Sequence, residues 1–82
     1  MNKVYLLVIE DVVDGISDIT IRIFKDYKLA HKVFVEACTK AEKDYEGGNN
    51  EKEVSQDHFE IYAEGEYSQY HTYIWVEEKE IE

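Results

Sequence analysis

The chain has 82 residues, of which 19 are acidic and 9 are basic, so its formal net charge at pH 7 is −10. This charge argues against direct binding of nucleic acid, because neutralising phosphates needs clustered Lys and Arg side chains. With 44% hydrophobic and 13% aromatic residues, the composition is that of one folded domain and not of a disordered chain.

Cellular location is predicted from what the sequence lacks. Cys38 is the single cysteine, so an internal disulfide is excluded. No apolar run reaches the ~20 residues of a membrane-spanning helix, and the first residues lack the basic region and cleavage site of a signal peptide. These features predict a cytoplasmic protein that does not bind membranes.

Residues 1–25 are predicted to form a β-hairpin. Residues 4–9 are an unbroken apolar run, which is typical of a strand covered on both faces, and isoleucines recur over residues 16–24. Between them, Asp14-Gly15 favours a two-residue type I′ turn, because Gly tolerates positive φ. This turn defines two sets of side chains on opposite faces. One set is Val4, Leu6, Val8, Ile19, Ile21 and Ile23, and the other is Tyr5, Leu7, Ile9 and Phe24.

Residues 26–46 are predicted to form an amphipathic helix. Asp26 is a suitable N-cap, and Gly47-Gly48 supplies a stop. The helix buries apolar residues that recur at three- and four-residue spacing. They are Ala30, Val33, Phe34, Ala37, Cys38 and Ala41.

The second half is predicted as a flexible loop (residues 47–56), a second hairpin (57–77) and an acidic tail (78–82). A turn at Glu64-Gly65 would place Phe59 opposite Tyr70, Tyr62 opposite Tyr67 and His58 opposite His71. The fold is then α+β in the order strand-strand-helix-strand-strand, with one helix on a four-stranded, mainly antiparallel sheet. Either the third or the fourth strand can lie beside the first.

One helix covers only one face of such a sheet. The side chains expected beneath it are Phe59, Ile61, Ala63, Tyr70, Thr72, Ile74 and Val76. On the uncovered face, aromatic residues either shield one another in cross-strand pairs or bind a partner. A homodimer joined through this face would use Tyr5, Leu7, Ile9 and Phe24, beside the aromatic residues of the second hairpin.

The negative charge is concentrated in residues 47–82, which hold ten acidic and two basic residues. Either these side chains only keep the chain soluble, or they steer its aromatic residues towards a basic protein surface. The second interpretation defines a set of candidate partner-binding residues. They are Glu60, Tyr62, Glu64, Glu66, Tyr67, Tyr73, Trp75, Glu77 and Glu78.

No catalytic residue, cofactor site or metal site is predicted. His58 and His71, with Glu60 or Gln69, are too few ligands for zinc, and the opposed Asp11 and Asp18 do not match a calcium-binding loop. Cys38 is expected in the core and His31 on the surface. Phosphate-binding glycine loops and nucleophile-elbow patterns are absent from the sequence.

In size, acidity and small α+β layout, the whole chain resembles phage-encoded inhibitors of bacterial defence, including anti-CRISPR and anti-restriction proteins, several of which imitate DNA. The resemblance implies a non-catalytic inhibitor that occupies a Lys- and Arg-lined nucleic-acid site on another protein. Its contacts would be Glu60, Glu64, Glu66, Glu77 and Glu78, with Tyr73 and Trp75 as anchors. The alternative is a homodimeric interaction domain whose acidity serves solubility.

Overall fold

The computed structural model describes residues 2–44, 50–64 and 69–81. Its elements in chain order are β1 (Asn2–Val13), β2 (Ile16–Phe24), α1 (Tyr27–Asp44), β3 (Asn50–Val54), β4 (His58–Glu64) and β5 (Gln69–Ile81). The strands form an antiparallel sheet in the order β2-β1-β5-β4-β3, and α1 packs on one face of it. The α+β class is confirmed, whereas the predicted count of four strands is one too low.

The first hairpin has the predicted turn and register. Asp14 and Gly15 have φ values of 51° and 85°, as a type I′ turn requires, and Val8 pairs with Ile21. The same turn contacts the start of β5. The Asp14 N–H donates to the Gln69 carbonyl at 3.0 Å, and the Asp14 carboxylate accepts from the Gln69 N–H at 2.9 Å.

The helix begins where its N-cap predicts. The Asp26 carboxylate accepts a hydrogen bond from the Lys28 N–H at 2.9 Å and so satisfies a donor in the first turn. Ala30, Phe34 and Ala41 are buried. The remaining members of the predicted apolar stripe, Val33, Ala37 and Cys38, pack against the core. The predicted stop at Gly47-Gly48 lies outside the described residues.

Residues 50–54, predicted as part of a flexible loop, form the edge strand β3. Lys52 pairs with Ile61 and Val54 with Phe59. The sequence pattern does not reveal this strand because the side chains of residues 51–54 are exposed, so no apolar alternation is present. Backbone pairing with the free edge of β4 decides its conformation.

The second hairpin has a different register from the predicted one. Phe59 pairs with Ile74 instead of Tyr70, and Glu64 still pairs with Gln69, so a two-residue turn at Glu64-Gly65 is wrong. The connection falls in residues 65–68, outside the described part of the chain. Because the register differs by an even number of residues, the expected faces are preserved. Phe59, Ile61, Thr72 and Ile74 are buried, as predicted.

The last strand is longer than predicted and lies beside the first. Residues 78–81, predicted as an acidic tail, continue β5 and pair with β1 as far as Asn2 opposite Ile81. In this ladder Leu7 pairs with Val76 and Ile9 with Ile74, so the odd-numbered side chains of β1 share the helix-covered face.

The four residues predicted to form a dimer interface therefore lie on the face that α1 covers, where a second copy could not reach them. Leu7 is only 1% exposed, and Ile9 and Phe24 pack against the core. The ring of Tyr5 lies 5.5 Å from that of Tyr27 on α1. The prediction that these side chains are uncovered is wrong because it combined the two hairpins without knowing the pairing of β1 with β5.

Replacing Leu7 with Ala tests whether the Leu7 side chain is buried beneath α1. Loss of a fully buried side chain should lower the free energy of unfolding by about 2–5 kcal/mol, as measured by urea denaturation. Leu29→Ala is the matched control, because Leu29 is 49% exposed, and should cost less than about 1 kcal/mol. Equal losses in the two variants would contradict the burial of Leu7.

Replacing Gly15 with Ala tests the turn. An added Cβ would meet no atom within 4 Å, so the cost arises only from the positive φ of 85°. We expect a loss of about 1–2 kcal/mol in the free energy of unfolding. Gly15→Asn should lose less, because Asn tolerates left-handed backbone better. An Ala variant as stable as the original chain would argue against the type I′ turn.

Candidate protein-binding site

The face of the sheet opposite α1 is called the open face. It holds the even-numbered side chains of β1 and the side chains that pair with them across the sheet. Its members include Val4, Leu6, Val8, Ile19, Ile21, Ile23, Glu51, Glu53, His58, Glu60, Tyr62, His71, Tyr73, Trp75 and Glu77. Among the described residues, no helix packs against these side chains.

One side of the open face is an apolar strip formed by Leu6, Val8, Ile19, Ile21 and Ile23. The three isoleucines are 57%, 57% and 67% exposed. Val8 is only 7% exposed because its register neighbours, Ile21 and Trp75, flank it on this face. Contiguous exposed apolar surface of this kind is uncommon on a monomer and often marks an interaction site.

The middle of the open face contains a hydrogen-bonded aromatic cluster. Nε2 of His71 lies 2.6 Å from a carboxylate oxygen of Glu60, and the Tyr73 hydroxyl lies 3.2 Å from Nδ1 of the same ring. The rings of His71 and Tyr73 stack at 4.1 Å, and Tyr62 meets His71 edge-on. Both ring nitrogens of His71 therefore have polar partners, and these contacts hold the aromatic rings of the cluster in place.

The predicted pairing of His58 with His71 is wrong. His58 pairs with Trp75, and Tyr62 pairs with His71. Nε2 of His58 nevertheless lies 3.7 Å from the second carboxylate oxygen of Glu60, so both imidazoles contact this one acid. In the described ranges, no group of three or more His, Cys, Asp or Glu side chains is placed to hold a metal ion.

The far side of the open face is an acidic margin formed by Glu51, Glu53 and Glu60. Glu53 and Glu60 are direct partners in the β3–β4 ladder, where opposed like charges are unfavourable. Nearer the apolar strip, the Trp75 indole N–H donates to the Glu77 carboxylate at 2.7 Å. The open face therefore changes from apolar at β2 to acidic at β3.

The structure brings together five of the nine predicted partner-binding residues. Glu60, Tyr62, Tyr73, Trp75 and Glu77 share the open face. Of the other four, Glu78 lies on the helix-covered face, where its carboxylate is 3.5 Å from Nζ of Lys3. Glu64 ends β4, where its backbone pairs with Gln69 of β5, and Glu66 and Tyr67 lie outside the described residues.

Sequence reasoning missed the isoleucines of β2 as surface residues. In this strand, Ile19, Ile21 and Ile23 alternate with polar residues, a pattern that ordinarily buries the apolar set. The structure exposes that set instead. No signal within the sequence distinguishes the two outcomes, because the covered face is chosen by the β1–β5 pairing.

Several polar side chains outside the open face also form contacts. The Tyr27 hydroxyl donates to the Asp57 carboxylate at 2.6 Å, which raises the pKa of Tyr27, and Nε2 of His31 lies 3.2 Å from the Gln56 carbonyl. These contacts join α1 to the connection between β3 and β4.

Asp11 opposes Asp18 as predicted and accepts a hydrogen bond from the Thr72 hydroxyl at 2.9 Å.

Comparison with known proteins gives no relative: no family model, curated protein or solved structure matches the chain. In the part of the chain that the structure describes, no helix combines the length and the apolar character that crossing a membrane requires. The geometry of the open face is therefore the feature of the chain that indicates a function.

The reactivity of Cys38 provides a test of its packing. Burial of the thiol and, to a smaller extent, the negative charge of Glu42 raise the pKa of Cys38 from 9.0 to about 11, because both disfavour the thiolate. At pH 8 the folded protein should react with iodoacetamide roughly 100-fold more slowly than the chain unfolded in urea, because the thiolate is the nucleophile. The rate should rise about tenfold per pH unit towards pH 11. Equal rates in the folded and unfolded chains would show that Cys38 is not held against the core.

Proposed function

We propose that this chain is a non-catalytic protein-binding module and that the open face is its binding surface. The observation that carries the proposal is the juxtaposition of exposed isoleucines, ordered aromatic rings and paired carboxylates on one surface. Interfaces commonly combine apolar and aromatic anchors with polar groups around them. The open face offers both in adjacent strips.

The aromatic residues would supply much of the binding energy. Tyr and Trp dominate the energetics of many interfaces because they bury a large area and retain a polar group. Tyr73 and Trp75 are half-buried in the free chain, and each is tied to a neighbour, His71 or Glu77. Such preorganised side chains lose less conformational freedom on binding.

The acidic margin favours a basic partner. Glu53 and Glu60 repel each other across the ladder, and a Lys or Arg side chain placed beside both would relieve that repulsion. The net charge of −10 would also attract a basic surface during encounter. The preferred partner is therefore a protein with a Lys- and Arg-rich surface.

Basic surfaces of this kind bind nucleic acid in nucleases and related enzymes. A small acidic chain seated there would exclude DNA, as expected of a DNA mimic of the anti-CRISPR or anti-restriction type. In this proposal the chain acts by occupying the site and performs no chemistry, and the apolar strip extends the contact beyond the phosphate-binding groups.

An inhibition assay tests the proposal. The purified chain is added to DNA cleavage reactions of restriction nucleases and RNA-guided nucleases, and the remaining activity is measured across a salt series. We expect inhibition of at least one of these enzymes, with weaker inhibition at higher salt because exposed charges are screened. Failure to inhibit any of them would contradict the proposed inhibitor function.

Charge reversal identifies the surface involved. Glu51→Lys/Glu53→Lys should raise the concentration for half-inhibition by at least about tenfold, because it reverses the acidic margin. Glu36→Lys/Asp44→Lys changes the net charge equally on exposed positions of α1 and should have little effect. Equal effects of the two double variants would exclude the open face as the binding surface, and inhibition insensitive to both salt and charge would exclude a basic target.

A further inference from the structure

We infer that two copies of this chain associate edge to edge through β2, with Asp18 of each copy opposite Arg22 of the other. This association goes beyond the proposed function, because it uses the edge of the sheet and requires no other protein. The occupant of the free edge is a second copy of the same strand.

β2 is an unprotected edge of the sheet. It pairs with β1 on one side only, and its backbone groups on the other side have no strand beside them in the described structure. Such an edge is a template for another strand, and proteins ordinarily protect it with proline, charge or a short strand. β2 is nine residues long, contains no proline and exposes Ile16, Ile19, Ile21 and Ile23.

The opposite edge of the sheet provides a contrast. β3 has five residues, and Glu51, Lys52 and Glu53 follow one another in it. A short, highly charged strand resists edge pairing. The two edges therefore differ, and the association is expected at β2 alone.

The turn determines which backbone groups of β2 face outward. In a two-residue hairpin the residues flanking the turn, Val13 and Ile16, form a hydrogen-bonded pair, and such pairs alternate along the ladder. The backbone groups of Asp18, Thr20 and Arg22 consequently point towards β1. Those at the odd-numbered positions point outward, and they are Ser17, Ile19, Ile21 and Ile23.

Charge selects one antiparallel register for two such edges. With a two-fold axis at Thr20, Ile19 lies opposite Ile21 of the second copy, and Asp18 lies opposite Arg22 of the second copy. Two ion pairs result, and outward backbone groups meet outward backbone groups. A register centred on Ile19 or on Ile21 instead places Thr20 opposite one of the charged residues and forms neither ion pair.

Both charged residues are available for this contact. Neither Asp18 nor Arg22 forms an ion pair with another described residue. Asp18 is also directly opposite Asp11 in its own hairpin, so an approaching guanidinium would relieve a repulsion already present. The guanidinium carbon of Arg22 lies 5.2 Å from the ring centroid of Phe24, the next residue on the same face of β2.

The pairing would join the two sheets into one of ten strands, since each copy contributes five. A two-fold axis perpendicular to the sheet leaves both helices on the same side. The apolar strips of the two copies would then meet at the centre of a continuous open face. The acidic margins would lie at its two ends, free to bind a partner.

The test uses charge-swapped variants of the full chain in sedimentation equilibrium. The original chain should dimerise, and Asp18→Arg or Arg22→Asp should each raise the dimer dissociation constant by at least about tenfold, because each opposes like charges. The double variant Asp18→Arg/Arg22→Asp should restore dimerisation. An equimolar mixture of the two single variants should form a heterodimer, because every 18–22 pair is then attractive.

Two controls separate association from folding. Ile21→Pro removes an N–H that points away from β1, so it should give a folded monomer with an intact hairpin. Glu36→Arg and Lys40→Asp, matched charge changes on α1, should leave the dimer unchanged. Circular dichroism and urea denaturation establish that each variant is folded.

Three results would overturn the inference: a monomeric original chain, single variants that dimerise as tightly as the original, or no heterodimer in the mixture. These results are distinguishable from failure of the proposed function. A monomer that still inhibits a nuclease would overturn only the edge pairing, whereas a dimer that inhibits none would overturn only the inhibitor proposal.

Discussion

The ladder between the first and last strands is the interaction on which the rest of the structure depends. Each residue of β1, from Asn2 to Val13, has a partner in β5. This ladder places β1 and β5 at the centre of the sheet, with β2 on one side and β4 on the other. It also aligns Leu7 and Ile9 with Val76 and Ile74, which creates one apolar surface from distant parts of the chain for α1 to cover.

A chain of this size can cover only part of its apolar surface. The core beneath the 18-residue α1 contains a few large side chains, chiefly Leu7, Phe34, Phe59, Ile61 and Ile74. Ile19, Ile21 and Ile23 of β2 lie on the other face and remain exposed. A strand whose apolar set faces solvent conflicts with its own sequence pattern, and such conflicts concentrate at functional sites. This conflict links the fold to both the proposed binding surface and the inferred edge pairing.

The distribution of negative charge also indicates interaction with other molecules. Opposed acids occur in two ladders, Asp11 with Asp18 and Glu53 with Glu60, and each arrangement is unfavourable in the isolated chain. A cationic group from outside would lower the energy at either place. For Asp18 that group is proposed to come from a second copy, and for the acidic margin from a basic partner. The distribution of charge therefore indicates more about interaction than the net value does.

The sequence by itself determined the local features: the Asp14-Gly15 turn and its register, the N-cap at Asp26, the buried stripe of α1, and the side chains of β4 and β5 that face α1. Each depends on residues close together in the chain or on strand alternation. Tertiary structure alone decided that residues 50–54 form a strand, that Phe59 pairs with Ile74, and that β5 continues through residues 78–81. It also decided which face of the first hairpin α1 covers. Tyr5, Leu7, Ile9 and Phe24 therefore lie beneath the helix and not on the open face. The physical reason is that both faces of β1 are apolar, so only the pairing of this strand with one more than 50 residues away distinguishes them.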